Sequence, residues 1–136
     1  MMRKLLLALL AMAAVQTSGA IKIVAMSDIH AMSEMLVEKR GAAIDKYAAS
    51  DMRMIKESAE ILRTVIGKII EQRPDIVMIS GDLTKDGERL SHEFVASQFE
   101  RLRAKGIKVL VIPGNHDISN ANAKYFNGKG RRTAAT

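Results

Sequence analysis

The sequence predicts an α/β fold: one mostly parallel three-stranded sheet built in the order strand, helix, strand, helix, strand (βαβαβ). Three short apolar runs, Ile21 to Ser27, Asp75 to Ser80 and Ile107 to Ile112, have the length and composition of buried strands. The two segments between them carry apolar residues at three- and four-residue spacings. Right-handed crossovers then make the sheet parallel and bring the carboxyl ends of its strands together.

The first strand delivers Asp28-Ile29-His30 at its end. Asp28 and His30 are two apart, so in extended backbone they share a side and can meet one ion. A capping Asp beside an incidental His is the plainer account of that pair alone. Residues 31–50 predict a loop with a short helical piece near Ala42 to Tyr47, interrupted at Gly41. Met26, Met32 and Met35 could hold a soft metal, but methionine more often fills gaps in a core. Asp51 to Gln72 predicts the clearest helix, with Ile55, Ala59, Leu62, Val65, Ile66, Ile69 and Ile70 on one face. Ser50 or Asp51 caps its start and Pro74 stops it.

The second strand ends at Gly81-Asp82, where glycine permits a tight turn. Thr84 to Arg89 is a polar turn. Glu88 or Ser91 then opens a helix that Gly106 closes, with Phe94, Val95, Phe99 and Leu102 inward. His92, on that helix, reads as a surface residue rather than a ligand. The third strand ends at Pro113 and presents Gly114-Asn115-His116-Asp117. Four polar residues at the mouth of a buried strand suit ligand binding better than packing. Asn115 offers a carbonyl oxygen, His116 an imidazole, and Asp117 a carboxylate to hold that ring. Past Asp117 no further strand or helix is specified.

At 136 residues the chain fits one domain, and with 48% hydrophobic and 26% charged residues it is globular. Arg3 and Lys4, the apolar run Leu5 to Val15, and the small residues Ser18 and Ala20 form an export signal over 1–20. Eleven helical residues span roughly 16 Å, about half a hydrocarbon core, so cleavage before Ile21 is expected over an uncleaved anchor. The mature chain is then exported, periplasmic or secreted, with no stable membrane span. Zero cysteines exclude disulfides, thiolate metal sites and a lipid-modified amino terminus. The +6 charge falls to +4 without Arg3 and Lys4, and vanishes without Lys124, Lys129, Arg131 and Arg132. With no basic stripe and interleaved aromatics, nucleic acid is not an expected partner. The organisation expected is a signal at 1–20, a domain at 21–118 and an irregular basic tail at 119–136.

Hard oxygen and imidazole donors at three strand ends suit Zn, Mn or Fe better than Ca. A carboxylate on the middle strand could bridge two ions about 3.5–4 Å apart. In this order the three motifs resemble the calcineurin-like metallophosphoesterase superfamily. Ile79-Ser80-Gly81-Asp82-Leu83-Thr84 and Val111-Ile112-Pro113-Gly114-Asn115-His116-Asp117 are similar to its class III phosphodiesterase-type members. The resemblance runs from Ile21 to about Asp117. It implies one half of a β-sandwich flanked by helices, and two divalent metals that hydrolyse a small-molecule or nucleotide phosphate ester. Asp28 and His30 would bind the first metal, Asp82 would bridge, and Asn115 would bind the second. His116 would stabilise the transition state or protonate the leaving oxygen, with Asp117 orienting its ring.

The resemblance also implies later histidines, an isolated one and a Gly-His-x-His pair. This chain has only His30, His92 and His116. It therefore reads as an amino-terminal part of such an enzyme, inactive or impaired by itself. The alternatives are a non-catalytic metal-binding or interaction protein on the same scaffold, or an export-linked structural module with idle motifs.

Overall fold

A computed structural model describes residues 19–118, 120–128 and 130–136. The expected export signal falls almost wholly outside the described residues. β1 (Ile23–Ser27), β3 (Ile76–Ser80) and β4 (Lys108–Ile112) form a parallel sheet in the order β1-β3-β4. The register puts Ser27 beside Ser80 and Ser80 beside Ile112, so all three carboxyl ends open on one edge.

Alternation along the strands sorts this sheet's two faces. Val24, Met26, Val77, Ile79 and Val109 face the helices α2 (Ser58–Gln72) and α3 (Arg89–Arg103). Leu62, Ile66 and Ile69 from α2 and Val95, Phe99 and Leu102 from α3 close that core. On the opposite face Ile23, Met78, Leu110 and Ile112 stand exposed, Ile112 at 62%. Among the described residues the sheet is covered on one side only, which fits half of a sandwich.

Three expectations are corrected. The helix expected from Asp51 begins only at Ser58, and residues 51–57 are turns. Asp51 accepts from the Arg53 amide and pairs with Lys85 at 3.4 Å, while Ile55 is drawn into a different core. Those long-range contacts outweigh the helical spacing. The helix does stop at Pro74, through Arg73 at φ 48.

The tail beyond 118 is not irregular. β5 (Lys124–Asn127) pairs parallel to β2 (Val37–Lys39) and antiparallel to β6 (Arg131–Thr133), making a second three-stranded sheet. Phe126 is fully buried there against Met32, Leu36, Ile44 and Ile55, with Tyr47 packed alongside at 5.1 Å between ring centroids. These strands are three or four residues long and mostly polar, and β2 lies far back in the chain. Short polar strands with distant partners carry no local period to read. Within the loop of residues 31–50, the helical piece is α1 (Ala42–Ala49). Met32 fills the second core, as the gap-filling reading of the methionines expects.

The third concerns Thr84 to Arg89, expected to be a polar turn, three of whose charged side chains are buried. Lys85, Asp86 and Glu88 are all at least 95% buried. Glu88 occupies the position before α3, and burial raises its carboxyl above the ordinary value, against hydrogen bonds from Ser91 and from the backbone. A carboxyl whose folded value is raised stabilises the fold at low pH, and that contribution is lost as pH rises through the folded value. Glu88→Gln, which never ionises, should therefore gain stability on the native protein as pH climbs from about 4 to 8. Urea midpoints across that range check it, and a Glu88→Gln midpoint that falls relative to the native one as pH rises would contradict it.

Candidate metal centre

The loops after β1 and β3 are stitched together before they reach the site. The amides of His30 and Ala31 donate to the carbonyls of Asp82 and Leu83 at 2.9 and 3.0 Å, and Lys85 donates back to Ala31 at 3.0 Å. The Gly81 amide ties this pair to Ile112 at 3.1 Å. Meeting those partners bends the backbone sharply. Asp28, His30 and Asp82 take φ values of 52, 45 and 23. Asp28 and His30 are thus not extended, and the expected two-residue alternation does not apply to them. Left-handed backbone at three non-glycine residues is strain that the surrounding bonds must hold in place.

Gly114 is required by contact rather than by conformation. A Cβ there would lie 2.3 Å from both the amide nitrogen and the Oδ1 of Asp82. Any side chain would push the two loops apart.

His30, Asp82 and His116 each bring one ligand atom to within 4.8 Å of the others. His30 Nε2 lies 3.6 Å from Asp82 Oδ2, and the two imidazole rings meet edge to face at 4.9 Å. Asp82 Oδ1 accepts the His116 amide at 2.9 Å. Burial first, and then the Arg53 guanidinium, hold His30 below the ordinary histidine value despite the pull of Asp82. Two imidazoles and a carboxylate suit Zn, Mn or Fe.

The remaining expected residues lie around this group. Asp28 is exposed beside His30, and its carboxylate is outside the group of three. Asn115 is exposed at the start of the turn that carries His116. His92 is half-buried, not on the open surface, and its Nε2 donates to the Asp117 carbonyl at 3.1 Å. It too is outside the group of three.

Asp117 does not hold the His116 ring. Its carboxylate instead accepts from the Gly114, Leu83 and Thr84 amides and the Thr84 hydroxyl, at 2.7 to 2.9 Å. Burial pushes its carboxyl up, but these donors overrule burial and leave it below the usual range. The short turn of residues 115–117 folds this side chain back under its own loop.

The ring is held by residues that the sequence reading passed over. His116 Nδ1 meets the Lys85 carbonyl at 2.7 Å and Asp86 Oδ1 at 3.3 Å. A carbonyl cannot donate, so Nδ1 carries the proton and Nε2 keeps its lone pair. Asp86 Oδ2 accepts from the Tyr47 hydroxyl at 2.6 Å and from Lys85 Nζ at 3.0 Å. Burial, and then the bond to Asp86, push the Tyr47 phenol well above its usual value, so it stays a donor. The one signal available was position: Lys85 and Asp86 follow a strand's carboxyl end, where sites gather.

Comparison with known proteins finds relatives that match parts of this chain. An uncharacterized metallophosphoesterase of Bacillus subtilis (strain 168) is 41% identical over 66 residues, covering 46% of this chain and 16% of its own length. A probable cyclic nucleotide phosphodiesterase of Rhodopseudomonas palustris is 38% identical over 74 residues, covering 53% of this chain and 26% of its own length. Another from a Synechococcus strain is 28% identical over 97 residues, covering 71% of this chain and 31% of its own length. The chain thus spans less than a third of these relatives. The model of the calcineurin-like phosphoesterase family matches residues 21–135, through β5 and β6 and past the boundary expected near 118. The chain belongs to the calcineurin-like phosphoesterase family.

Proposed function

We propose that this site hydrolyses phosphate esters, phosphodiesters in particular, with divalent metal ions held at the carboxyl ends of β1, β3 and β4. The observation that carries the proposal is the convergence of His30, Asp82 and His116 there. The names of the cyclic nucleotide phosphodiesterase relatives support the diester class. Asp28, His30 and Asp82 would hold the first ion, and Asp82 with Asn115 the second. Bound ions would supply Lewis acidity toward the phosphoryl oxygens and a nucleophile at neutral pH.

The chain's own residues do the rest. Asp82 is fixed by the His116 amide, so its carboxylate is set before any ligand arrives. His116, with its Nδ1 proton committed to Lys85 and Asp86, presents Nε2 toward His30 and Asp82. From there it can ligate an ion or, once it has taken up a proton at Nε2, pass that proton to the leaving oxygen. We further propose that residues 1–20 direct export; the sheet is anchored immediately afterwards, at Lys22 on Asp75, 2.7 Å.

Residues 21–136 supply few donors to the second ion, a shared carboxylate and a neutral amide. They should bind at most one metal weakly and turn over no diester appreciably. Elemental analysis beside hydrolysis of a chromogenic phosphodiester tests this. Two tightly held ions with metal-dependent turnover would sink the impaired reading. No metal at all would sink the site.

A further inference from the structure

A cleft of about 500 Å³ opens between β1 and α2, directly beside Asp28 and His30. Its walls are apolar: Met26 and Ile29 from the β1 end, Met54 and Ile55 from the turns before α2, Ile61 and Val65 from α2 itself. The Ser58 hydroxyl at its edge is committed, donating to the Ile55 carbonyl at 2.8 Å and accepting from the Met32 amide at 3.0 Å. Ser27 stands on the opposite face of β1 from Met26. The cleft therefore offers little with which to read a hydrogen-bonding edge, and methionine walls adapt to many shapes.

One cation borders it. Arg53 Nε pairs with Asp51 at 3.1 Å, and Arg53 Nη1 donates to His30 Nδ1 at 2.8 Å. A guanidinium cannot accept, so His30 Nδ1 spends its lone pair on Arg53. A neutral imidazole has only one such pair. Metal coordination by His30 and the Arg53 contact therefore exclude each other. When His30 takes a metal, Arg53 is released while Asp51 still tethers it, and its outer nitrogens are left to face an anion.

We infer that this cleft is the subsite for the organic group of the ester, that this group is apolar (aryl or alkyl), and that Arg53 grips the adjoining phosphoryl oxygens. The inference rests on the phosphoester reading above. Size fits the assignment, since small-molecule pockets run from roughly 300 to 1,000 Å³.

The test is binding, read from amide shifts of the nitrogen-15-labelled full chain loaded with Zn(II). Phenylphosphonate and methylphosphonate share an anion and differ in the group the cleft would hold. Phenylphosphonate should bind at least about tenfold more tightly, the worth of burying one ring, and should shift residues 52–55 and 61–65. Ile61→Glu and Val65→Glu, at half-exposed positions, should each erase that preference and leave methylphosphonate binding intact. Arg53→Met should weaken both probes alike. Equal binding of the two probes, or a preference that survives both glutamates, overturns the cleft while sparing the phosphoester reading. Methylphosphonate binding untouched by Arg53→Met overturns the role of Arg53. Failure of both probes to bind the Zn(II)-loaded chain overturns the phosphoester reading itself.

Discussion

Asp117→Ala is expected to destabilise the fold by about 3–5 kcal/mol, the usual consequence of removing one partner from a buried charged network. Its carboxylate accepts four hydrogen bonds, three of them from backbone amides. Those amides belong to the two loops that bear Asp82 and His116, and deletion leaves them buried without acceptors. Denaturant midpoints measure the loss; a cost under 1 kcal/mol would show that water replaces the carboxylate. The pH dependence follows from the depressed carboxyl. A carboxylate held below its unfolded value contributes stability above that unfolded value, about pH 4, and loses it as pH falls through the folded one. Asp117→Asn should flatten that acid limb. Because Asp117 acts as a clamp, its loss should lower stability and metal affinity together.

Asp82→Asn is expected to separate the two. Asparagine keeps an oxygen for the His116 amide, so the loop should survive. It removes the one negative charge in the group of His30, Asp82 and His116. Metal affinity should fall by at least about a hundredfold, above the 10–100-fold typical of outer-shell changes. Titration with Zn(II) or Mn(II) by calorimetry measures it, beside thermal unfolding of the metal-free forms. An unchanged affinity would remove Asp82 from the metal site. An unchanged affinity together with a lowered melting point would make it a purely structural residue.

The strands, their carboxyl-end residues and the inward faces of α2 and α3 are legible in the sequence because each is a local pattern. Ile76 to Ser80 alternates against the core, and Asp82 follows within two residues wherever the chain goes. Residues 51–57 are not legible, because their helical spacing is overridden by Ile55 and Asp51 reaching for partners elsewhere. Lys85, Asp86 and Glu88 mislead for the opposite reason. Charged residues after a strand look solvated, and here each is neutralised or bonded by Tyr47, His116, Ser91 or one another. Asp117 was legible as a site residue and misread as to its target. Sequence adjacency pointed it at His116, whereas the tight turn aims it at residues 83 and 84.

The pairing of β2 with β5 sets an order of events during synthesis. Tyr125 donates to Glu38 at 2.9 Å across 87 residues of chain, and β6 closes the same sheet from residues 131–133. A chain emerging amino terminus first can complete β1, β3 and β4, and with them the strand ends that carry Asp28, Asp82 and Asn115, before β5 exists. β2, within the segment of residues 31–50, has no partner strand until that moment, although Ala31 and Tyr47 can already bond Leu83 and Asp86. Assembly thus runs from the ligand-bearing strands outward, and β2 is paired only when β5 arrives.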